Sequence, residues 1–492
     1  MAACEYHRRM LRSLAALLAT FAAAPAQVPT AWLQSEVDTL ELPAANPTYS
    51  ATHIDQVSYY RIPTRVIYRS YAVYVPAREP AGYRDWLASR EPEVAFDASA
   101  IHTPEEWVRA GEIVFNAPTS FSPVFFSAEN LRDPDFYRRA GMPVAADGTV
   151  PFARWVVRKK GVVELGSMGC ATCHTRVLAD GTAVPGAQGN NPGDRQGAML
   201  LAASVKALGE AKTLDRLRGF ARQFQSPWLG ADANAITDSF TAADFIKAGE
   251  QIPPGVTARA NTSMVLPPQI PDLIGVAERR YLDHTGLIRN RGIADLMRYS
   301  SLAQDLFTQD RYGSVRLSEN PPSVRYSDEQ LYALALYLHS LRPPRNPHPS
   351  DAAAARGRAV FERENCARCH TPPLYTNNRL VPVDGFEPPS AAADVMPIRI
   401  GVDPRYTMTT HKSTGYYKVP SLKGVWYRGP FGHNGPAATL EDWLDPARVE
   451  PGYIPTGFKG HDGKIRSIPG HPFGLSLSAR DRRDLISFLN TL

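Results

Sequence analysis

Two short motifs carry the chemistry of this 492-residue chain. Each is a Cys-x-x-Cys-His, CATCH at Cys170–His174 and CARCH at Cys366–His370. Two thiols on one turn can form thioether bonds to the two vinyl groups of a haem, and the adjacent histidine then reaches the iron as its proximal ligand. The motifs therefore predict two covalently bound haem c groups, attached through Cys170, Cys173 and His174 and through Cys366, Cys369 and His370.

A single motif of this kind would also suit a zinc half-site or a redox disulfide. The chain has five cysteines, and the fifth, Cys4, lies in a segment that is predicted to be removed. No further thiol remains to complete a zinc site or a disulfide framework. Haem attachment is therefore the favoured interpretation of both motifs.

The motifs belong to an internal repeat. Ile270–Gly286, IPDLIGVAERRYLDHTG, aligns without a gap with Val419–Gly435, VPSLKGVWYRGPFGHNG, and the two share proline, leucine, glycine, valine and histidine positions. A CxxCH motif precedes each copy, and a short helix of matching layout follows each copy, from Ser327 and from Ser478. The chain is therefore predicted to contain two tandem versions of one haem-binding unit.

The two predicted haems differ in the sixth coordination position of the iron. In a small cytochrome c unit, this ligand comes from the loop before the last helix. That loop in the second unit contains His471, so the iron there is predicted to be six-coordinate between His370 and His471. The equivalent position of the first unit is Asn320, in a loop without His or Met, so the iron on His174 is predicted to have an open or water-filled face. A closed site suits electron transfer, whereas an open one suits the binding of peroxide or dioxygen.

Several other side chains are candidates for functional roles. Alternative sixth ligands of the second haem are His411, His461 and Met408. Two histidines recur in the repeat and are predicted to donate to a haem propionate or to fix a loop: His284 and His433. An aromatic relay between the haems has three candidates, for each of which chance packing is the better explanation: Trp228, Tyr281 and Trp426. Four histidines without such context are predicted to lie on the surface: His53, His102, His339 and His348.

The predicted fold is mainly α, with two tandem cytochrome c-type haem domains, long loops and a small N-terminal extension containing short β-strands. The predicted segments are a signal peptide (1–26), the extension (27–100), a first cytochrome c domain with insertions (101–341), a Pro-rich linker (342–350) and a second cytochrome c domain (351–492). In the extension, the aromatic and β-branched run Val57–Val75 predicts one or two strands broken at Pro63. The sequence TPEE from Thr103 predicts a helix start, and a further helix is predicted near Ala198–Phe224.

The first unit carries a long insertion. RAGEIVF (109–115) resembles ARGRAVF (355–361), but only the second of these ends close to its CxxCH motif. The inserted segment contains two apolar runs, FSPVFF (121–126) and FARWVV (152–157). Such an insertion would either wall a substrate pocket beside the haem or add core to a larger domain. The sequence leaves both alternatives open.

Composition and the N-terminus bound the class of protein. With 43% hydrophobic and 21% charged residues, the chain is typical of globular proteins, and its length suits two or three domains. The net charge of +5 forms no basic stripe, which argues against a nucleic-acid partner. Arginines precede the apolar run Leu14–Ala24 and an A-x-A site ending at Ala26, which predicts a cleaved signal peptide. The mature protein is therefore predicted to be periplasmic or secreted and to have no integral membrane segment.

These motifs together resemble a known family. Two CxxCH units, PSLKGVW followed by FGHNG, and a terminal LSARDRRDLISFL helix are similar to the bacterial di-haem cytochrome c peroxidase superfamily, which includes the enzyme that matures the tryptophan-derived cofactor of methylamine dehydrogenase. The resemblance runs from about Thr103 to Leu492 and is most specific in Lys418–Leu444. GCATCHTRVLADGTAVPGAQGN and RRYLDHTG look most like the branch that contains the bacterial rubber oxygenases.

The resemblance implies a division of labour between the haems. In that superfamily one haem receives electrons while the other meets the oxidant. Peroxidase members usually take the sixth ligand of the electron-receiving haem from a Met, whereas the rubber-cleaving branch is bis-His, as His471 would make this chain. Many peroxidases carry a distal His soon after the first CxxCH; no His lies between His174 and His284 here, which favours an always-open site. Relatives often hold a calcium ion between the domains, and no residue of this chain is assigned to it.

Three hypotheses follow for a periplasmic di-haem c-type oxidoreductase. The first is reduction of hydrogen peroxide at the haem on His174, with electrons from a small donor protein such as a cytochrome c or a cupredoxin. The second is dioxygen-dependent oxidation of an apolar organic substrate, similar to a rubber oxygenase. The third is a plain electron-transfer cytochrome, which would require both irons to be six-coordinate. A distal acid or base is assigned to no residue.

Overall fold

The computed structural model describes residues 27–45, 53–223, 237, 239–258, 264–306, 324–389, 393–410 and 414–492. Within them the chain is mainly helical with three small antiparallel sheets, in agreement with the predicted mainly α class. The α-helices are α1 (Gln34–Val37), α2 (Gln56–Arg61), α3 (Tyr83–Ser89), α4 (Pro104–Asn116), α5 (Ala128–Arg132), α6 (Pro134–Ala140), α7 (Cys170–Cys173), α8 (Gly193–Leu208), α9 (Glu210–Gln223), α10 (Ala242–Gln251), α11 (Ile293–Ser301), α12 (Asp328–Ser340), α13 (Ala352–Arg363), α14 (Arg405–Thr409), α15 (Leu440–Trp443) and α16 (Ala479–Leu489). The strands are β1 (Ser70–Tyr74), β2 (Thr149–Lys159), β3 (Val162–Gly166), β4 (Thr175–Val177), β5 (Ala183–Pro185), β6 (Leu380–Pro382) and β7 (Tyr416–Lys418).

Helix α4 begins at the predicted position. The Thr103 side chain accepts a hydrogen bond from the backbone N–H of Glu106, and the Glu106 carboxylate accepts one from the backbone N–H of Thr103. This capping box satisfies two donors that would otherwise be unpaired at the helix end. Helix α12, which packs against α4, begins after Ser327 with the same kind of cap, as the sequence predicts.

Helices α4 and α12 cross at a glycine. A Cβ atom at Gly111 would lie 2.0 Å from the carbonyl oxygen of Ala333, so only glycine allows this approach. One turn further along α4, the ring of Phe115 lies 5.3 Å from the ring of Tyr337. The crossing therefore combines close backbone contact with aromatic packing.

Helices α13 and α16 of the second unit cross in the same way. A Cβ at Gly357 would lie 1.8 Å from the carbonyl oxygen of Asp484. The rings of Phe361 and Phe488 lie 5.3 Å apart. The repeat pairs these residues with those of the first crossing, so the matched contacts support a two-unit organisation. The domain boundaries themselves stay predictions.

The N-terminal segment differs from its prediction. Residues 56–61 form helix α2, and of the predicted run only Ser70–Tyr74 forms a strand. Asp55 starts the helix because its carboxylate accepts the backbone N–H of Ser58. Tyr59 is then fully buried and stacks on Trp32, with ring centroids 4.8 Å apart. The prediction of strands from 57 to 62 was wrong because a cap and tertiary packing outweigh the local preference of aromatic residues for strands.

The insertion of the first unit joins the N-terminal segment by a sheet. Strand β1 pairs with β2, and β2 pairs with β3, both antiparallel. The central strand comes from the insertion, and its Phe152 and Trp155 are buried in one apolar cluster with Phe126 and Phe136. The phenylalanines at 126 and 152 thus contribute to a core, which was one of the two alternatives for the apolar runs.

One predicted helix is in fact two. The segment near Ala198–Phe224 forms α8 and α9, which are separated at Gly209. Gly209 has a φ of +80°, a conformation that ends a helix readily only when the residue is glycine.

The two copies of the repeat contact each other through the backbone. The N–H of Gln269 donates to the carbonyl of His433 at 2.8 Å, and the N–H of Lys418 donates to the carbonyl of His284 at 2.9 Å. The repeat alignment pairs Gln269 with Lys418 and His284 with His433, so each copy makes the same bond to the other. The contact between the units is therefore locally twofold.

The connecting segment 342–350 contains no helix or strand. Its Asn346 side chain donates to the carbonyl of Asn490 at 2.8 Å, just beyond helix α16. Among the helices of the described residues, none is long and apolar enough to cross a membrane. The predicted signal peptide, 1–26, lies outside the described residues.

Candidate functional site

The first CxxCH forms the single helical turn α7, beside the insertion. The hydroxyl of Thr172 donates to the carbonyl of Phe152 at 3.0 Å, which ties the turn to strand β2. Nδ1 of His174 lies 3.1 Å from the carbonyl oxygen of Pro271, the proline of the first repeat copy. Because a carbonyl only accepts, this contact assigns the proton to Nδ1 and makes Nε2 the unprotonated nitrogen, which is the form that binds a metal.

The second CxxCH begins with a 3-10 turn, Cys366–Arg368. Nδ1 of His370 lies 3.2 Å from the carbonyl oxygen of Pro420 and 3.3 Å from that of Tyr375. Pro420 is the repeat equivalent of Pro271. The same device therefore orients both predicted proximal histidines, since a repeated proline carbonyl fixes the imidazole ring and its tautomer.

The imidazole rings of His471 and His370 are neighbours in the structure. The centroids of the two rings are 6.4 Å apart, with an angle of 55° between their planes. Two metal–nitrogen bonds of roughly 2 Å each, together with half the width of two imidazole rings, add to about 6 Å. Burial lowers the pKa of His370 to about 4 and that of His471 to about 3, so both rings are neutral and able to ligate. The predicted pair of ligands thus fits one iron ion.

A buried arginine holds the loop that carries His471. Arg448 is fully buried, and its guanidinium donates to the carbonyls of Trp443, Gly470 and His471 at 2.6, 2.9 and 2.8 Å, and also to that of Ile468. His471 has a φ of +48°, which costs free energy for a residue with a side chain. Arg448 therefore supports a strained ligand loop. No sequence pattern indicates this role, because Arg448 lies in no motif.

The other candidates for the sixth ligand lie in different surroundings. Met408 packs in an apolar cluster with Tyr417 and Val402. The ring of His461 stacks on Phe240 at 5.5 Å. His411 lies outside the described residues. Of the candidates that the structure describes, His471 is the one whose ring faces His370.

The two histidines of the repeat pack at the contact between the units. Nε2 of His284 lies 2.8 Å from the carbonyl oxygen of Gln269, which matches the loop-fixing alternative. The ring of His433 stacks on Tyr417 at 4.7 Å. Burial lowers the pKa of both histidines to about 4, so both are neutral at physiological pH.

The candidate aromatic relay is only partly described. The Tyr281 hydroxyl donates to Asp394 at 3.0 Å, and the ring of Trp426 packs edge-on against Tyr427 at 5.2 Å. Trp228 lies outside the described residues. The relay stays a prediction.

Two of the four histidines that were predicted to lie on the surface are partly buried. The side chain of His53 is 10% exposed and lies 3.4 Å from Glu41. Burial lowers the pKa of His339, whose Nε2 has no hydrogen-bond partner in the described chain. Tertiary packing covers both side chains, which no local pattern could indicate. His102 and His348 are exposed, as predicted.

The open face of the first haem and the calcium ion are two further predictions. Asn320, which marks the predicted open sixth position of the first iron, lies within 307–323, outside the described residues. Within the described ranges, no three side chains of His, Cys, Asp or Glu are grouped so that they could hold a metal ion. The open face of the first haem and the calcium ion therefore stay predictions.

Comparison with known proteins identifies relatives of part of the chain. No family model matches it. The cytochrome-c peroxidase IdrP1 of Denitromonas iodatirespirans is 28% identical over 165 residues, which are 29% of this chain and 40% of that protein. The methylamine utilization protein MauG of Methylorubrum extorquens is 31% identical over 152 residues, 29% of this chain and 35% of that protein.

These matches support a relationship to the di-haem cytochrome c peroxidase superfamily. The match spans less than half the length of either relative, so their activities transfer only as proposals. The narrower resemblance to the rubber oxygenases rests on sequence motifs and stays a prediction.

Two solved structures show weak similarity to part of this chain. One is a MauG-like protein associated with microbial copper homeostasis, with 16% identity, a TM-score of 0.29 and coverage of 46% of this chain and 73% of that chain. The other is the hydrazine synthase of Kuenenia stuttgartiensis, with 18% identity, a TM-score of 0.26 and coverage of 46% and 72%. At these TM-scores neither structure bears on the fold.

Proposed function

We propose that the chain binds two haem c groups and uses them in different ways. The first would be held by Cys170, Cys173 and His174, and the second by Cys366, Cys369, His370 and His471. The proline carbonyls that orient both CxxCH histidines support this assignment, because a haem ligand needs a fixed tautomer and ring direction. A haem iron supplies one-electron chemistry and, where an axial position is vacant, a binding place for an oxidant.

The function that this arrangement supports best is the reduction of hydrogen peroxide at the first haem. The observation that supports it most is the neighbouring pair His370 and His471, which would close one of the two iron sites and suit it to electron transfer. Reduction of one peroxide to two waters consumes two electrons and two protons. A small reduced donor protein, such as a cytochrome c or a cupredoxin, would supply the electrons. The name of one relative, a cytochrome-c peroxidase, agrees with this class of reaction.

A second candidate is dioxygen-dependent oxidation of an apolar substrate. The hydrogen bond from Thr172 to the backbone carbonyl of Phe152 supports it, because it places the strand of the insertion beside the first CxxCH motif. The sequence also has no histidine between His174 and His284 that could act as a mobile distal ligand. Both features suit a permanently open iron beside an apolar wall.

The ligand assignment is tested by electron paramagnetic resonance of the purified ferric protein with both haems. The wild type should show one high-spin and one low-spin haem. In His471→Ala the low-spin signal should be lost, whereas the matched control His461→Ala should keep it. An unchanged low-spin signal in His471→Ala would refute the assignment of His471, and two low-spin haems in the wild type would favour a plain electron carrier.

The choice of oxidant is tested by turnover. Steady consumption of peroxide with a reduced small cytochrome would support the first candidate. A stable dioxygen adduct of the isolated protein, without peroxide turnover, would support the second. Export, through cleavage near Ala26, is part of the proposal and is tested by sequencing the N-terminus of the mature protein.

A further inference from the structure

An arginine recurs in the two repeat copies and makes the same contact in each. The alignment pairs Arg279 with Arg428. The guanidinium of Arg279 donates to the carbonyl of Asp272, and to that of Ile274 at 2.9 Å. The guanidinium of Arg428 donates to the carbonyl of Ser421 at 2.7 Å. Ser421 is the repeat equivalent of Asp272, so each arginine binds the residue that follows the repeated proline.

The two copies differ in one charged group. The carboxylate of Asp272 stands where the second copy has the hydroxyl of Ser421. It accepts a hydrogen bond from the hydroxyl of Tyr427 at 2.9 Å, and it lies 3.9 Å from Nε of Arg428. The side chain of Asp272 is 4% exposed and that of Arg428 is 15% exposed. One carboxylate and two guanidinium groups thus form a covered charge cluster between the units, defined by Asp272, Arg279 and Arg428.

The charge cluster adjoins both proximal histidines. Asp272 directly follows Pro271, whose carbonyl oxygen lies 3.1 Å from Nδ1 of His174. Pro420 directly precedes Ser421, and its carbonyl oxygen lies 3.2 Å from Nδ1 of His370. Each histidine is therefore one hydrogen bond and one peptide unit from a residue that the cluster holds.

On the basis of the function proposed above, we infer that the charge cluster sets the reduction potentials of both haems together. A buried charge acts over a longer range than an exposed one. The protein around it has a low dielectric constant and excludes salt ions, so the charge is screened less. Oxidation of a haem iron adds one positive charge. The carboxylate of Asp272 therefore favours the ferric state of both irons, and the guanidinium of Arg428 favours the ferrous state of both.

Potentiometric titration of the two-haem protein, followed by the haem absorbance, tests this inference. Asp272→Asn keeps the shape of the side chain and removes its charge. At a fixed potential it should raise the ratio of ferrous to ferric haem about tenfold at each iron, which corresponds to about 59 mV for a one-electron couple. Arg428→Gln should shift both ratios in the opposite direction.

A matched control lies on the same contact between the units. Lys423 forms an ion pair with Glu278 at 3.1 Å, and both side chains are about half exposed, at 47% and 46%. Lys423→Gln removes a cation from the same segment, but water and salt screen that cation. It should leave both potentials unchanged. A shift in Lys423→Gln as large as that in Arg428→Gln would overturn the inference.

Further outcomes decide between a redox role and a purely structural one. Unchanged potentials in a folded Asp272→Asn protein with two haems, or a shift at one haem alone, would refute the shared role. If Asp272→Asn takes up fewer than two haems, Tyr427→Phe replaces it. That variant removes a neutral donor from the carboxylate and should lower both ratios about threefold, and no change would count against the inference. Peroxide turnover does not enter this test, so a failure of the proposed activity would be seen separately.

Discussion

At the scale of single residues, the ligand loop of the second unit depends on a buried cation. In the described chain, Arg448 contacts no carboxylate. Its guanidinium is stabilised by backbone carbonyl oxygens and by the face of the Trp443 ring, whose centroid lies 4.8 Å from the guanidinium carbon. Burial lowers the pKa of Arg448. A charge is kept in such a place when its hydrogen bonds are needed.

Substitution of Arg448 should loosen His471. Arg448→Met leaves buried carbonyls unpaired and should lower the free energy of unfolding by about 2 to 4 kcal/mol. The fraction of low-spin haem should fall with it, because the positive φ of His471 loses its support. Urea denaturation and paramagnetic resonance measure the two effects.

The control for this substitution is Arg466→Met. Arg466 is exposed and also donates to carbonyls, those of Gly463 and Ile465. Its replacement should change stability by less than about 0.5 kcal/mol and leave the low-spin signal intact. Equal effects of the two substitutions would contradict the role of Arg448.

The pKa of His284 makes a prediction about acid stability. Burial lowers this pKa from the ordinary value of 6.5 to about 4. The unfolded chain therefore takes up the proton first as the pH falls, so the contribution of neutral His284 is complete above about pH 6.5 and is lost towards pH 4. His284→Gln keeps a donor for the carbonyl of Gln269 and does not titrate. When the pH falls from about 6.5 to about 4, the free energy of unfolding of His284→Gln should decrease less than that of the wild type. The difference between the two decreases should be at most about 3 kcal/mol.

Denaturation curves at several pH values measure this difference. His102→Gln is the control because His102 is exposed and should share the pH dependence of the wild type. Parallel curves for the wild type and His284→Gln would show that the fold does not lower the pKa of His284.

At the scale of elements, each unit is held by one pair of crossed helices. The two helices approach so closely that a Cβ atom at Gly357 would lie 1.8 Å from the carbonyl oxygen of Asp484 on the facing helix. Gly357→Ala should therefore force the α13 and α16 helices apart and lower the free energy of unfolding by about 3 kcal/mol or more. Chemical denaturation of the haem-loaded protein measures it.

Gly452→Ala is the matched control for the crossing. A Cβ at Gly452 would meet no atom within 4 Å. The change should be neutral or slightly stabilising, because alanine restricts the unfolded chain. A similar loss in both variants would mean that the crossing is not the cause.

At the scale of the whole molecule, the two units share a covered contact that Gln188 bridges. Its side chain accepts from the N–H of Gly429 at 3.1 Å and donates to the carbonyls of Gly255 and Pro430 at 3.2 and 3.3 Å. Because Gln188 is only 2% exposed, water cannot reach this position to replace the hydrogen bonds of its side chain. Gln188→Ala should lower the free energy of unfolding by about 2 kcal/mol.

Calorimetry of Gln188→Ala beside Lys423→Gln tests this bridge. Both residues join the same two units, but the ion pair of Lys423 is exposed and should be worth less than about 1 kcal/mol. An equal loss of unfolding free energy in Lys423→Gln and Gln188→Ala would contradict this prediction. It would show that the exposed ion pair stabilises the contact as much as the buried hydrogen bonds do.

Features that depend on local spacing were predictable from the amino-acid sequence. The two CxxCH motifs and the helix starts at Thr103, Ser327 and Ser478 could be read from neighbouring residues, and the repeat and the candidate ligand His471 from a comparison of the two copies. Caps and attachment motifs act within one turn, so their residues are sufficient to recognise them. The structure agrees with the three helix starts and brings His471 opposite His370.

Features that depend on partners far away in the chain became visible in the folded protein. Residues 56–61 became a helix because Trp32 covers Tyr59, and the insertion pairs with a strand of the N-terminal segment. Arg448 gained its role from carbonyls that a loop brings to it, and Asp272 gained a neighbour from the other unit. Burial and charge pairing arise from contacts between segments that are remote in sequence, so no local pattern contains them.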